Sequence, residues 1–284
     1  MIKIIKNKIH NFGNILKLSI IDTVNHDGVE HAGYLAFLSI VSFFPLLIFI
    51  VAITGYVGQL EVANSFVEIF IANIPKNAAK ALMPRINEII SGPPPGFLTI
   101  AFLGVIWTAS SSVEGLRTIL NRAYRVENPP TYIWRRLLSI AQFFLIIVTI
   151  TIILLLLIIL PAFWHKISDF LHLGEIFLFD LKYLRFFLFF LIILKMTSLL
   201  YFLVPNKGQK LTSALPGSFI CVVLWICVGK ILAFYLKNVD QINLIYGSIG
   251  GVIIALIFFY LIALIFIFGA EFNYHYANHQ RKKS

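Results

Sequence analysis

Six long apolar segments restrict what this chain can fold into more than any other feature of its sequence. They occupy residues 32–56, 97–112, 137–163, 183–204, 212–234 and 245–270. A helix needs about 20 apolar residues to cross the roughly 30 Å hydrocarbon core of a bilayer, and only the second segment falls clearly short. Because a backbone in lipid must satisfy its own hydrogen bonds, we predict an all-α membrane protein: a bundle of six transmembrane helices accompanied by amphipathic surface helices.

The overall composition also favours a membrane protein over a soluble one. Of the 284 residues, 59% are hydrophobic and 13% are charged, and the formal net charge is +10. Soluble domains carry about 25% charged residues. In a soluble protein this positive charge would suggest nucleic-acid binding, but membrane proteins concentrate basic residues in cytoplasmic loops beside anionic lipids. We therefore expect membrane lipids and their anionic headgroups as partners, and no nucleic acid.

The distribution of basic residues between the predicted loops indicates the orientation. Fourteen Lys and Arg residues lie in segments 1–31, 113–136, 205–211 and 271–284, whereas six lie in the opposite segments, 57–96, 164–182 and 235–244. Because the more basic side of a membrane protein faces the cytoplasm, we predict that both termini are cytoplasmic. An even number of spans agrees with this orientation.

The same pattern divides the chain into three parts. Residues 1–31 form a cytoplasmic amphipathic segment, residues 32–270 a single six-span domain, and residues 271–284 a basic cytoplasmic tail. Apolar residues recur every three or four positions in the first part, which is typical of one helical face. That helix either lies on the membrane surface or packs against its own bundle. Within the second part we predict an extracytoplasmic helical segment at 57–96 and a cytoplasmic amphipathic helix at 113–126.

Residues 107–127, WTASSSVEGLRTILNRAYRVE, place a polar, arginine-bearing helix directly after an apolar segment. Arginine side chains match phosphate geometry through paired hydrogen bonds, and ionisable residues at membrane depth are functional candidates by default. Plain topology is the alternative, since the positive-inside rule also places arginines here. Adding polar residues predicted at a similar level or within a span, the candidate substrate-binding residues are Ser110, Ser111, Ser112, Glu114, Arg117, Asn121, Lys195 and Glu271.

The sequence offers no arrangement typical of an active site. Seven histidines are scattered over both predicted sides of the membrane, and His275 and His279 alone have a spacing that suits a metal. Nucleases that use metal ions need clustered His and acidic ligands. Both cysteines, Cys221 and Cys227, lie within one apolar segment and are interpreted as small core residues. We expect no catalytic residue, no metal and no cofactor.

Four segments, in order, resemble the YihY/virulence factor BrkB family. They are GYLAFLSIVSFFPLL (33–47), VEGLRTILNRAY (113–124) with its Glu114 and Asn121, LPGS (215–218), and YGSIGGVIIALIFFYLIALIFIFGAEFN (246–273). The resemblance runs from about residue 30 to residue 275. It implies a bacterial inner-membrane protein of a family without an agreed activity, whose names record serum resistance and an old ribonuclease label.

Taken together, the sequence predicts a transporter or flippase for an amphipathic anionic component of the cell envelope, such as a lipid or a lipid-linked precursor. A non-transporting membrane scaffold for envelope biogenesis is the alternative, because basic loops and an amphipathic terminus can recruit lipid without moving it. Ribonuclease activity is disfavoured by the scattered histidines.

Overall fold

A computed structural model describes residues 2–56, 84, 96–146, 148–149, 181–208, 210–238 and 249–281. The helices are α1 (Ile2–Asn25), α2 (Gly28–Tyr56), α3 (Phe97–Ala123), α4 (132–146), α5 (Leu181–Leu203), α6 (Leu211–Asn238) and α7 (Ile249–Arg281). The described ranges contain no strand, which confirms the all-α prediction. Nearly all of the predicted extracytoplasmic segments 57–96 and 164–182 lie outside the described residues.

Two of these helices are long and apolar enough to cross a membrane. They are Leu211–Tyr235, with 25 residues, and Gly250–Arg281, with 32; the apolar stretch Phe189–Leu203 is shorter. At about 1.5 Å per residue, the 32-residue helix measures roughly 48 Å and exceeds the roughly 30 Å of hydrocarbon. The helix is therefore longer than the apolar layer is thick, and its polar residues gather in its C-terminal turns. The count of six spans and the orientation of the termini stay predictions.

The helices cluster into two compact units, and the predicted division of the chain into three parts stays a prediction. The first unit contains Met1–Gly28, Leu116–Cys227 and Ile265–Ser284, and the second contains Val29–Gly115 and Val228–Leu264. The second predicted span and the amphipathic helix after it are one continuous helix, α3, and α7 continues past residue 270 to Arg281. No proline interrupts either stretch, so nothing in the local sequence ends the helix there.

The first unit has a core in which aromatic and small residues alternate. Tyr201 stacks on Phe266 with ring centroids 4.4 Å apart, and its hydroxyl donates to the Phe266 carbonyl at 2.6 Å. Gly217 of α6 and Gly269 of α7 lie so close that a Cβ on Gly217 would overlap the Gly269 backbone. Small residues at a crossing point allow membrane helices to approach each other closely, and the glycines therefore bring α6 against α7.

In the second unit, α2 and α3 also pack closely at a glycine. A Cβ on Gly115 would lie 2.8 Å from the Tyr34 ring, which leaves no room for a larger residue. One step along the pair, the hydroxyls of Ser42 and Ser112 are 3.1 Å apart. Glycine and serine therefore hold α2 and α3 together in this unit.

The N-terminal helix α1 packs on α7 within the first unit. Ile15, Ser19 and Thr23 are buried, and Phe12 contacts the ring of Phe272 edge-on at 5.7 Å. Ile20, which belongs to the predicted apolar stripe, is exposed instead. Of the two alternatives for this segment, packing against its own protein is the one that the described residues show. Contact of its exposed apolar side with a membrane stays a prediction.

Candidate functional site

A network of five ionisable side chains joins the end of α1, the end of α3 and the last turns of α7. His26 Nδ1 donates to Glu271 Oε1, and His275 Nε2 donates to Asp22 Oδ2, both at 2.8 Å. His26, in the turn after α1, is four residues from Asp22, as His275 is from Glu271 on α7, and the acid of each pair accepts from the histidine of the other pair. We call these four residues and Arg125 the acid–histidine network.

Arg125 lies between the two acids and bridges them. Its guanidinium donates to Asp22 Oδ2 at 2.6 Å and to Glu271 Oε2 at 2.7 Å, and it also lies 4.1 Å from the centre of the Tyr274 ring. Glu271 is 0% exposed, whereas Arg125 retains 25% of its side-chain exposure. A carboxylate removed from water needs a cation and hydrogen-bond donors, and Arg125 with His26 supplies both.

The backbone at the end of α3 places Arg125 there at a conformational cost. Arg125 has φ 56°, in the left-handed region that glycine usually occupies after a helix. The amide of Val126 donates to the Asn121 carbonyl at 2.8 Å, which ends the helix in the manner of a Schellman motif. A non-glycine residue in this conformation costs about 1 kcal/mol or more. The arginine therefore occupies a position that suits glycine, and its side chain makes two ion pairs that a glycine could not make.

A polar cavity of about 700 Å³ adjoins the network, between α1 and the last turns of α7. We call it the α1–α7 cavity. Its lining includes Asp22, Arg125 and His275, together with Asn14 and His279. Ligand pockets in proteins typically measure about 300–1,000 Å³, so a lipid headgroup or a small anion would fit within it.

The network also contains the one group of possible metal ligands found among the described residues. Oxygen atoms of Asp22 and Glu271 and a ring nitrogen of His275 all lie within 4.8 Å of one another. Arg125, however, already bonds to both carboxylates. Because its positive charge neutralises the ligands that a cation would need, the arrangement fits an arginine-centred ion cluster better than a metal centre.

A second polar cavity, of about 870 Å³, lies between the start of α6 and the last turns of α7. We call it the α6–α7 cavity. Lys207, Lys210 and Arg281 line it, and none of the described residues in its lining is Asp or Glu. Tyr274 lines both cavities.

The three predicted serines all bond to carbonyls of their own helix, and Ser112 also bonds to Ser42 of α2. Ser110 and Ser111 donate to the Trp107 carbonyl at 3.1 and 2.7 Å, and Ser112 donates to the Thr108 carbonyl at 3.2 Å. Such bonds to a carbonyl one turn back are common for serine in helices. The serines belong to the second unit, as does the half-buried Glu114.

Arg117 and Asn121 belong to the first unit, where both are buried. Arg117 donates to the side-chain oxygen of Gln142, which in turn donates to the Leu203 carbonyl. Asn121 makes two bonds with Asn206: its Nδ2 donates to Asn206 Oδ1 at 3.0 Å, and its Oδ1 accepts from the Asn206 amide at 2.7 Å. Asn121 thereby holds the connection that leads to Lys207.

Glu271 and Lys195 complete the predicted set. Glu271 lies at the centre of the acid–histidine network, whereas the side chain of Lys195 is exposed on α5. The predicted residues therefore do not form one cluster in a single unit: Arg117, Asn121 and Glu271 occupy the first unit at separate contacts, and the serines and Glu114 occupy the second.

Sequence reasoning missed Asp22, His26, Arg125 and His275 as site residues. One signal for them existed, because Asp22 and His26, like Glu271 and His275, are four residues apart and share a helical face. Asp22 lies 2.8 Å from the ring nitrogen of His275. The pairing across 253 positions carried no signal in a single sequence.

Comparison with known proteins extends the resemblance seen in the motifs. The family model described as "Virulence factor BrkB" matches residues 21–284. A Bacillus subtilis protein called "Putative ribonuclease-like protein YfkH" is 32% identical over 267 residues, covering 91% of this chain and 92% of its own. The "UPF0761 membrane protein VV0203" of Vibrio vulnificus is 27% identical, covering 89% of this chain and 79% of its own.

A further relative, a "UPF0761 membrane protein" of Vibrio campbellii, is 27% identical over 95% of this chain. No solved structure matches the chain. The family model covers nearly all of the sequence, and two of these relatives are named as membrane proteins, in keeping with the two helices that are apolar enough to cross a bilayer. This chain belongs to the virulence factor BrkB family of membrane proteins.

Proposed function

We propose that this protein is a transporter or flippase that moves an amphipathic anionic component of the cell envelope, such as a lipid or a lipid-linked precursor. It acts in the bacterial inner membrane, with both termini in the cytoplasm. The observation that carries the proposal is the acid–histidine network, which lies at the end of an apolar helix and lines the α1–α7 cavity.

The energetics of the network support a role beyond packing. A buried ion pair seldom stabilises a fold more than well-packed apolar residues would, and ionisable residues near the membrane core are mostly found on substrate or ion pathways. Glu271 is fully buried at the point where the apolar part of α7 ends, and Arg125 adopts a strained backbone to reach it. Two unfavourable features at one place, beside a polar cavity, support a site that handles charge.

The candidates for substrate contact remain those predicted from the sequence, and the network distinguishes Glu271 among them. Glu271 belongs to the network, which lines the α1–α7 cavity through Asp22, Arg125 and His275. Arg117 and Asn121 bond to neighbouring side chains of the first unit. We therefore propose Glu271 as the residue whose loss affects transport most, with Ser110, Ser111, Ser112, Glu114, Arg117, Asn121 and Lys195 as further candidates.

A non-transporting scaffold is the second candidate, and the reciprocal bonding favours it. The network joins α1 to α7 through two histidine–acid bonds and an arginine bridge. A protein that recruits partners to the membrane needs its helices to be held together in this way, but it does not need to move lipid. Measurement of lipid transfer separates the two functions.

We propose no ribonuclease activity, although the Bacillus subtilis relative has a ribonuclease-like name. The trio of Asp22, Glu271 and His275 has ligand types that a metal-dependent nuclease uses. The Arg125 guanidinium already bonds both carboxylates of that trio, so the residues are arranged to hold a cation of the protein itself.

The test is lipid transfer in liposomes that contain the purified full-length protein and a fluorescent phospholipid quenched from outside. We expect the wild-type protein to equilibrate the two leaflets, and Glu271→Gln to slow equilibration about tenfold or more. Arg122→Gln is the matched control, because the Arg122–Asp27 pair is about half exposed and lies outside the network. Rates are compared between preparations with the same elution profile in detergent.

Two results would contradict the proposal. If liposomes with the wild-type protein equilibrate the lipid no faster than empty liposomes, phospholipid flipping is excluded and the scaffold function is favoured. Normal transfer by Glu271→Gln would show that the network does not control movement.

A further inference from the structure

The α6–α7 cavity concentrates positive charge. Lys207, Lys210 and Arg281 line its volume of about 870 Å³, together with Thr212 and Ser213, and the part of the chain that the structure describes places no carboxylate in the lining. The acids of the first unit that bond to Arg125, Asp22 and Glu271, do not line this cavity. Cations that share a cavity repel one another, and a ligand of opposite charge relieves that repulsion.

Lys207 is held in place within this cavity. Its Nζ donates to the Tyr124 carbonyl at 2.7 Å and lies 5.1 Å from the centre of the Tyr274 ring. Burial lowers the pKa of Lys207, and the positive charges of Arg281 and Arg125 lower it further. The protein therefore positions an ammonium group where its own environment disfavours the charge.

The start of α6 adds to the positive potential. The amide and the hydroxyl of Ser213 both bond to the Lys210 carbonyl, at 3.0 and 2.6 Å, so Lys210 stands at the cap of the helix. The first turn contains no acidic residue. Because a helix N-terminus carries a partial positive charge and unpaired amides, a lysine at the cap is unfavourable unless an anion lies beside it.

Amides at a helix N-terminus together with cationic side chains are the usual protein contacts of phosphate groups. The two helices that meet at the cavity are the described ones that can cross a membrane. We infer that the α6–α7 cavity is a phosphate-binding site, which takes the phosphate of a lipid headgroup or of a small soluble phosphate compound. The inference rests on the proposed function, for which it names the chemistry of the substrate.

Plain topology is the competing explanation, because basic residues also gather near a membrane without binding a particular ligand. That explanation does not require Lys207 and Lys210 to act together. It predicts that any pair of exposed lysines contributes equally to the attraction of anionic lipid. Matched lysine variants therefore distinguish a built site from general positive charge.

The experiment measures binding to purified full-length protein in a neutral detergent by titration calorimetry. The probes are inorganic phosphate, short-chain phosphatidic acid and short-chain phosphatidylcholine. We expect Lys207→Gln/Lys210→Gln to weaken binding of the anionic probe about tenfold or more, since two charge-assisted bonds are lost. Lys17→Gln/Lys230→Gln is the control with the same change of charge, because both lysines are exposed and neither lines the cavity.

Lys210→Gln/Arg281→Gln provides a second variant that changes exposed residues alone and therefore carries little risk of misfolding. Competition by inorganic phosphate would identify a soluble phosphate compound as the ligand. Binding of phosphatidic acid without such competition would identify a lipid headgroup.

Equal affinity of the cavity variants and the control variant would overturn the site, as would the absence of binding by either phosphate probe. This outcome is separate from the failure of the proposed function, which would appear as phosphate binding by the wild-type protein without lipid transfer in liposomes.

Discussion

Glu271 Oε2 accepts a hydrogen bond from Arg125 at 2.7 Å, although the two residues are 146 positions apart in the chain. The acid is fully buried and the guanidinium is three-quarters covered. Asp22 bonds to the same guanidinium from α1 at 2.6 Å. This one arginine therefore connects the ends of α1, α3 and α7.

Replacement of Glu271 by Gln should destabilise the first unit. The substitution keeps the shape of the side chain but removes the charge that balances Arg125. It also replaces one of the two oxygens that accept from His26 and Arg125 by an amide nitrogen, which cannot accept. We expect a loss of about 2 kcal/mol in the free energy of unfolding, measured by SDS titration in mixed micelles. Arg122→Gln should cost less than about 1 kcal/mol, because its pair with Asp27 is about half exposed. Equal losses in the two variants would contradict the central role of Glu271.

Replacement of Arg125 by Gly should convert the network into a metal site. Glycine relieves the strained backbone at φ 56° and leaves the ligand atoms of Asp22, Glu271 and His275 within 4.8 Å of one another, without their cation. We expect Zn²⁺ or Mn²⁺ to raise the melting temperature of Arg125→Gly but not that of the wild type. A wild-type protein stabilised equally by these ions would show that the arginine does not occupy the place of a metal.

Replacement of Gly217 by Ala should separate α6 from α7. An added Cβ would overlap the Gly269 backbone and lie 2.6 Å from Cγ of Asn273, and such overpacking costs about 1–3 kcal/mol. Gly229→Ala is the control in the same helix, because nothing lies within 4 Å of its Cβ position. We expect the control to be neutral or to gain up to about 1 kcal/mol through helix propensity. Thermal unfolding in detergent measures both, and similar melting temperatures would argue against the close crossing.

The lowered pKa of Lys207 makes stability depend on pH in a defined direction. Between the lowered value and the ordinary value of 10.5, the unfolded chain binds more protons than the folded chain. The free energy of unfolding therefore rises with pH through this interval. The destabilisation is fully present below the folded pKa and is lost above 10.5. Lys207→Gln should flatten the rise in phosphate-free buffer, as measured by melting temperature against pH. An identical slope in both proteins would show that another group is responsible.

Much of the fold could be predicted from local patterns. Apolar segments long enough to cross a bilayer predict membrane helices, and the described residues are all-helical with two such helices. The predicted ends of the apolar segments at 112 and 270 fall inside α3 and α7, so they do not mark the ends of helices. A change from apolar to polar residues marks the edge of the membrane, whereas the helix itself continues until its backbone hydrogen bonds are capped.

The candidate site shows the limit of the sequence more clearly. Glu271 was recognisable because a lone acid at the end of an apolar helix is unusual, and Arg117 and Asn121 because they interrupt an apolar region. The roles of Asp22, His26 and His275 were not recognisable, since an acid or a histidine in a polar terminal segment is ordinarily solvated. Their partners lie 245 and 253 positions away along the chain.

The sequence by itself determined that this is a helical membrane protein with an excess of positive charge and one unusual acid at the end of its last helix, because hydropathy and charge are properties of neighbouring residues. The tertiary structure decided that Arg125 joins two acids and that His26 and His275 bond Glu271 and Asp22. It also decided that three cations share a cavity whose described lining residues include no acid. These features depend on which helix ends meet, and that is set by close packing at small residues such as Gly217 and Gly269.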